Sequence, residues 1–175
     1  MKFPTLPLLS LLTLIPALTS ADGASILSAT KSVTRSATTF NSTVASFTGD
    51  LPTILTILKQ STDLLISIKK GTLTAKSSAN LTDAEALTLV GPTQDLVATV
   101  QSTLNTVVRK KPVFRRTLTQ VVALVNLKAE KEASDAFGRA VVGRVPVGLQ
   151  PFAEALIAPL GPAFDGAIGE FEEFF

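Results

Sequence analysis

Most side chains that do chemistry are missing from this sequence. Its 175 residues contain no Cys, His, Trp or Tyr. Zinc sites of the usual kind draw on Cys or His. Triads with a His base and cysteine nucleophiles need the same absent residues. The 14 Asp and Glu are scattered, with no spacing that suits an acid–base pair. No catalytic residue, metal ligand or cofactor motif is assigned, and the composition points to a non-enzyme. The polar residues worth weighing are neutral side chains set in apolar surroundings. Projected on a helix at about 100° per residue, Thr93 falls inside an apolar face, with Gln94 and Gln101 at its edge. Ser61 and Thr62 lie within another such face. A carboxylate head group entering an apolar site needs a donor of this kind. Each residue also reads as border polarity, with Thr bonding its own helix backbone.

The elements that would position these residues are helical. Apolar residues recur at three- and four-residue steps, and no run alternates convincingly as a strand. A first helix is expected over residues 24–47, with Ile26, Val33, Ala37, Phe40, Val44 and Phe47 on one stripe. Its other face is Ser and Thr, so packing must help hold it. A second is expected over residues 51–70, opened by Pro52 and closed by Gly71. Its apolar face is wide enough to be buried on more than one side. After a polar loop, Thr82 and Glu85 form a capping box. The third helix then runs to about residue 110, with a break at Gly91-Pro92. A fourth covers about residues 112–142. The C-terminal segment carries too many Gly and Pro for a straight helix. The expected fold is all-α, an antiparallel helical bundle of about five helices.

Phe is the only aromatic. Sugar-binding platforms usually use Trp or Tyr, whereas Phe, Leu, Val and Ile suit acyl chains. A ~20-residue helix spans ~30 Å, long enough to lie beside such a chain. Burying its methylenes at ~0.8 kcal/mol each would gain on the order of 10 kcal/mol before ordering costs. Candidate lipid-lining positions are Leu55, Leu58, Ser61, Thr62 and Leu65 on the second helix. The third helix offers Val90, Thr93, Gln94, Val97, Val100, Gln101 and Leu104. The fourth offers Phe114, Leu118, Val121, Val122 and Val125. For any one of the apolar residues, ordinary core is the competing role.

Residues 1–21 read as a secretory signal peptide: an early Lys2, an apolar run from Leu6 to Leu18, then small residues. The run is shorter than the ~20 residues that span a bilayer, and Pro7 and Pro16 interrupt it. Cleavage would leave a helical-bundle domain at residues 22–160 and a Gly/Pro-rich, loosely ordered segment at residues 161–175. Loss of Lys2 would take the formal net charge from +2 to +1, which gives no preference for nucleic acid. The basic run Arg109–Arg116 reads as a helix terminus and a solvated face. Asn80 and Asn41 head N-glycosylation sequons, Asn80 in a loop and Asn41 in a helix.

The order of several motifs resembles the fungal hydrophobic surface-binding protein A family, also called cell wall galactomannoproteins. They are Phe47-Thr48-Gly49-Asp50, LLISIKKGTLTAKSS at Leu64–Ser78, LTDAEAL at Leu81–Leu87, VGPTQDL at Val90–Leu96, KKPVF at Lys110–Phe114 and KEASDAFGRAVVGRVP at Lys131–Pro146. The resemblance covers about residues 25–160. It implies a secreted, helical, non-enzymatic protein; the chain is separately expected to be a monomer, in the medium or the cell wall. Such a protein captures fatty acids or other apolar ligands within its bundle, or adsorbs to hydrophobic surfaces. Two other readings are a structural wall mannoprotein without a small ligand, and an adsorbed adaptor that recruits a secreted hydrolase. Cell-wall polysaccharide and the hydrolase are the partners these imply.

Overall fold

The structure, a computed structural model, describes residues 21–173. Apart from Ala21, the expected signal peptide lies outside the described residues, as do Phe174 and Phe175. The chain forms α1 (Ala21–Ser46), α2 (Leu51–Ser77), α3 (Asp83–Thr88), α4 (Val90–Arg109), α5 (Lys111–Arg116), α6 (Gln120–Val142), a 3-10 turn (Val147–Leu149), α7 (Gln150–Ile157) and α8 (Leu160–Glu172). The described residues contain no strand. Taken as α1, α2, α3–α4, α5–α6 and α7–α8, these make five helical passes.

Five of the helices close a ring, in the order α1, α2, α6, α8, α4 and back to α1. α7 packs against α4 and α6. Cross-links reveal the directions. Ala37 and Phe47 of the first pass meet Thr103 and Lys110, so α1 and α4 run parallel. Ser61 meets Glu130 and Ala75 meets Arg144, so α2 and α6 are also parallel. Lys131 pairs with Asp165 and Lys128 with Glu172, which makes α6 and α8 antiparallel. Consecutive passes alternate in direction, as the short connections require, yet three of the five ring contacts, α1 with α4, α2 with α6 and α4 with α8, are parallel.

α1 behaves as its stripe predicts. Ile26, Val33, Ala37, Phe40, Val44 and Phe47 are all buried. Thr30 occupies the remaining place on the stripe and donates back to the Ile26 carbonyl at 3.0 Å, which hides its hydroxyl inside the helix. α2 starts with Asp50, whose carboxylate accepts from the Thr53 amide at 2.9 Å. Hydrogen bonding from Thr53, by its side chain first and its backbone amide second, holds the Asp50 carboxyl below its usual range.

Four expectations are corrected. The second helix does not stop at Gly71 but continues to Ser77. Gly71 is there for close approach: a Cβ would stand 3.0 Å from Cε2 of the buried Phe137. The third-helix break is not at Gly91-Pro92 but two residues before Gly91, at Leu89. Pro92 thus falls in the first turn of α4, where a missing N–H costs nothing. The fourth helix is split. Leu118 takes φ 59°, the Thr119 amide donates to the Phe114 carbonyl at 2.9 Å, and the Leu118 amide donates to Arg115 at 3.1 Å. These two bonds are a Schellman motif with Leu where Gly is usual. Finally, residues 160–172 are a packed helix rather than a loose tail. Pro162 lies in its first turn, and Phe164, Ala167, Ile168 and Phe171 are buried.

The basic run is structural. Lys110 Nζ donates to the Phe47 carbonyl at 3.0 Å and Arg116 Nη2 to Thr48 at 2.7 Å, which ties down the α1–α2 turn. Lys111 pairs with Glu170 of α8 at 2.8 Å.

Candidate functional site

The ring leaves an apolar interior in two lobes. The large lobe lies between α4, α6 and α7, with α1 and α2 behind it. Its cavity volume is about 90 Å³. It is therefore a narrow slot, and a ligand must part the side chains to fill it. Leu87 of α3 and Phe152 of α7 are its most exposed lining residues, 58% and 50%, and they mark the mouth. The small lobe, a cavity of about 30 Å³, lies between the starts of α2 and α6. Phe47 and Phe114 close it, with ring centroids 5.2 Å apart.

Polar atoms in the lobes are few, and most are spoken for. Thr30 bonds its own helix at Ile26, and Thr103 donates to Thr99 at 2.8 Å. Glu130 is the exception. It lines both lobes and is 5% exposed. Ser61 Oγ donates to its Oε1 at 2.8 Å. Among the described residues, no other ionisable side chain lines either lobe. Burial pushes the Glu130 carboxyl up to about 7, and the Ser61 bond offsets this only in part. One turn to either side, Asn126 lines the small lobe and Ser134 the large one. α6 thus carries a polar stripe at four-residue spacing along an apolar chamber.

The structure brings together part of the expected set. Val90, Thr93, Val97, Val100 and Leu104 line the large lobe; Leu58, Ser61, Phe114 and Val122 line the small one. Eight candidates line neither. Leu65 and Gln101 are half-buried beside the core, and Gln94 faces solvent. Thr62 is exposed and donates back to Leu58 at 3.0 Å. Leu55, Leu118, Val121 and Val125 are exposed. On α2 the apolar face is wider than the buried arc, which centres on Ile57, Ser61, Leu64 and Ile68. On α6 the cause is phase. The left-handed Leu118 resets the helix, so the inward face runs through Leu124, Leu127, Glu130 and Phe137. A stripe continued from Phe114 passes Glu130 by. The spacing Asn126, Glu130, Ser134 is the signal that points to it, once α6 is phased on Leu124 and Leu127.

Asn80 sits on the exposed loop before α3. Asn41 is half-buried on α1, with Nδ2 donating to Ser102 of α4 at 3.4 Å. Of the two sequons, Asn80 is the open one. The described residues hold no cluster of metal-binding side chains and no helix long and apolar enough to cross a membrane.

Comparison with known proteins agrees with this architecture. The chain is 30% identical over 133 residues to Cell wall mannoprotein 1 of Aspergillus fumigatus, covering 75% of this chain and 46% of that one. It spans less than half the length of the curated relatives it matches. Among solved structures it is similar to AfMp4p in complex with palmitic acid, with a TM-score of 0.82, 23% identity, and coverage of 85% of this chain and 99% of that one. It is also similar to ligand binding domain 1 of the Penicillium marneffei MP1 protein complexed with arachidonic acids, with a TM-score of 0.81, 20% identity, and coverage of 86% and 98%. The sequence model of Hydrophobic surface binding protein A matches residues 23–143, well over half of the chain. The chain belongs to the hydrophobic surface binding protein A family.

Proposed function

We propose that this chain is a secreted, non-enzymatic protein that holds a fatty acid or a similar apolar ligand in its large lobe. The observation that carries this reading is the continuous apolar slot inside the helical ring, open at Leu87 and Phe152. From Glu130 to Val142, α6 rises about 18 Å along it, the reach of a long acyl chain. The fatty acids named with the two similar structures support the same ligand class. The medium or the cell wall is the location the mannoprotein relatives favour. Native mass spectrometry of protein from a eukaryotic host tests the reading. Acyl-mass adducts are expected, and after delipidation palmitate should restore them. Palmitate at a hundred times its Kd should stabilise the fold by about 2.7 kcal/mol. A wall mannoprotein without a ligand would give neither an adduct nor a shift.

Adsorption to a hydrophobic surface is a second reading, favoured by a separate observation. Leu51 and Leu55 of α2 and Leu118, Val121, Val122 and Val125 at the start of α6 are exposed at the small-lobe end of the ring. Leu118 is 86% exposed in a left-handed conformation that disfavours any side chain. A leucine there costs strain and exposure together, which favours a role in contact with something apolar. An adsorbed hydrolase adaptor would use the same end.

A further inference from the structure

We propose that Glu130 is the head-group anchor of this cavity: its protonated carboxyl hydrogen-bonds the carboxylate of a bound long-chain acid at the junction of the lobes, so that the protein loads in acid and unloads as the pH rises. The inference rests on the acyl-binding reading above and adds the site, the bond and the control.

Its geometry carries it. A carboxyl group in an apolar wall is costly unless it has a use or a partner. Glu130 has one side-chain hydrogen bond among the described residues, from Ser61, which occupies Oε1. Among the described residues, no cation lines either lobe beside it. From α2 it meets Ser61 amid Ile57 and Leu64, and from α1, α4, α5 and α8 the lobes present only uncharged residues. Of the other charged groups of α6, Lys128 is held by Glu172 and Lys131 by Asp165, and Glu132, Asp135 and Arg139 line neither lobe. Ser134 stands one turn away in the large lobe, on the same helix face. A head group between Glu130 and Ser134 would sit deep in the slot, its tail running along α6 towards Leu87 and Phe152.

The chemistry gives the direction. Below neutral pH, Glu130 is a carboxylic acid that can donate to a ligand carboxylate, one proton shared between two carboxyl groups. The burial that raises its pKa to about 7 keeps this form through the acid range. Above that, two carboxylates would face each other without a counter-ion, and affinity falls. A ligand with a hydroxyl head group carries no charge and escapes this repulsion.

The test is displacement of a dansyl-labelled fatty acid by palmitate and by hexadecanol, at pH 5.5 and 8.5, in the wild type and Glu130→Gln. Palmitate's own ionisation affects both proteins alike, so their ratio isolates Glu130. The wild type should lose at least tenfold more palmitate affinity than Glu130→Gln across this range, with hexadecanol changing less than twofold. Equal palmitate profiles in the two proteins would overturn the anchor while leaving acyl binding intact. Palmitate binding to neither protein at either pH would overturn both readings. Should Glu130→Gln not fold, palmitate labelled with carbon-13 at its carboxyl answers on the wild type alone. The bound resonance should be shielded from a soluble paramagnetic agent and inflect near neutral pH. A broadened resonance that titrates as in water would place the head group at the mouth and refute the anchor.

Discussion

At the scale of single residues, Glu130 also sets how stability depends on pH. Its folded pKa, about 7, lies above the 4.5 of a free glutamate. The folded protein therefore holds this proton more tightly than the unfolded chain. The resulting stability is fully present below about pH 4.5 and is lost as the pH rises to about 7. The loss is on the order of 3 kcal/mol, at about 1.4 kcal/mol per pH unit. Urea denaturation of the ligand-free protein at pH 4.5 and 8 should show this drop, and Glu130→Gln should remove most of it. An undiminished drop in the variant would assign it to other groups. The residues around Glu130 were only partly legible. Ser61 stands out in the sequence as a hydroxyl on an apolar face, and Thr93 likewise. Glu130 does not, because its inward position depends on a helix phase that Leu118 resets.

At the scale of elements, helix starts were the legible feature. The Thr82–Glu85 capping box forms with the Thr82 amide 2.9 Å from Glu85 Oε2, and that bond lowers the Glu85 pKa. Prolines were read unevenly: Pro52 and Pro112 were expected at helix starts, whereas Pro92, Pro151 and Pro162 were expected as breaks. Pro52, Pro92, Pro112, Pro151 and Pro162 all lie in first turns, so they start helices rather than bend them. Gly71 was misread because a packing glycine and a capping glycine look alike until the neighbour, Phe137, is placed. Two substitutions separate these roles of backbone and packing. At Gly91 a Cβ meets nothing within 4 Å. Gly91→Ala should raise stability by about 0.5–1 kcal/mol through helix propensity alone. Leu118→Gly should also stabilise, by up to about 1 kcal/mol, because it relieves the left-handed strain. Chemical denaturation reads both, and a loss at Leu118→Gly would mean that its side chain contributes packing.

At the scale of the whole molecule, the all-α class and the five passes follow from local periodicity and punctuation. The ring does not. Which helices adjoin, and that α1 with α4 and α2 with α6 are parallel, depends on pairings some 60 to 70 residues apart, such as Thr103 with Ala37 and Glu130 with Ser61. The cavity is a property of that closure, which is why the lining could be named only where the helix phase was right. The exposed end of the ring carries a separate expectation. Leu118→Ser combined with Val125→Ser should reduce retention on hydrophobic beads severalfold without changing palmitate affinity. Unchanged retention would remove that end as the adsorbing surface. The acyl-binding account itself is tested most directly by a crystal structure of the delipidated protein soaked with palmitate. It predicts continuous acyl density in the large lobe between α4 and α6, with the slot widened around it and the carboxyl beside Glu130. A closed lobe, with palmitate absent or bound only on the outer surface, would contradict it.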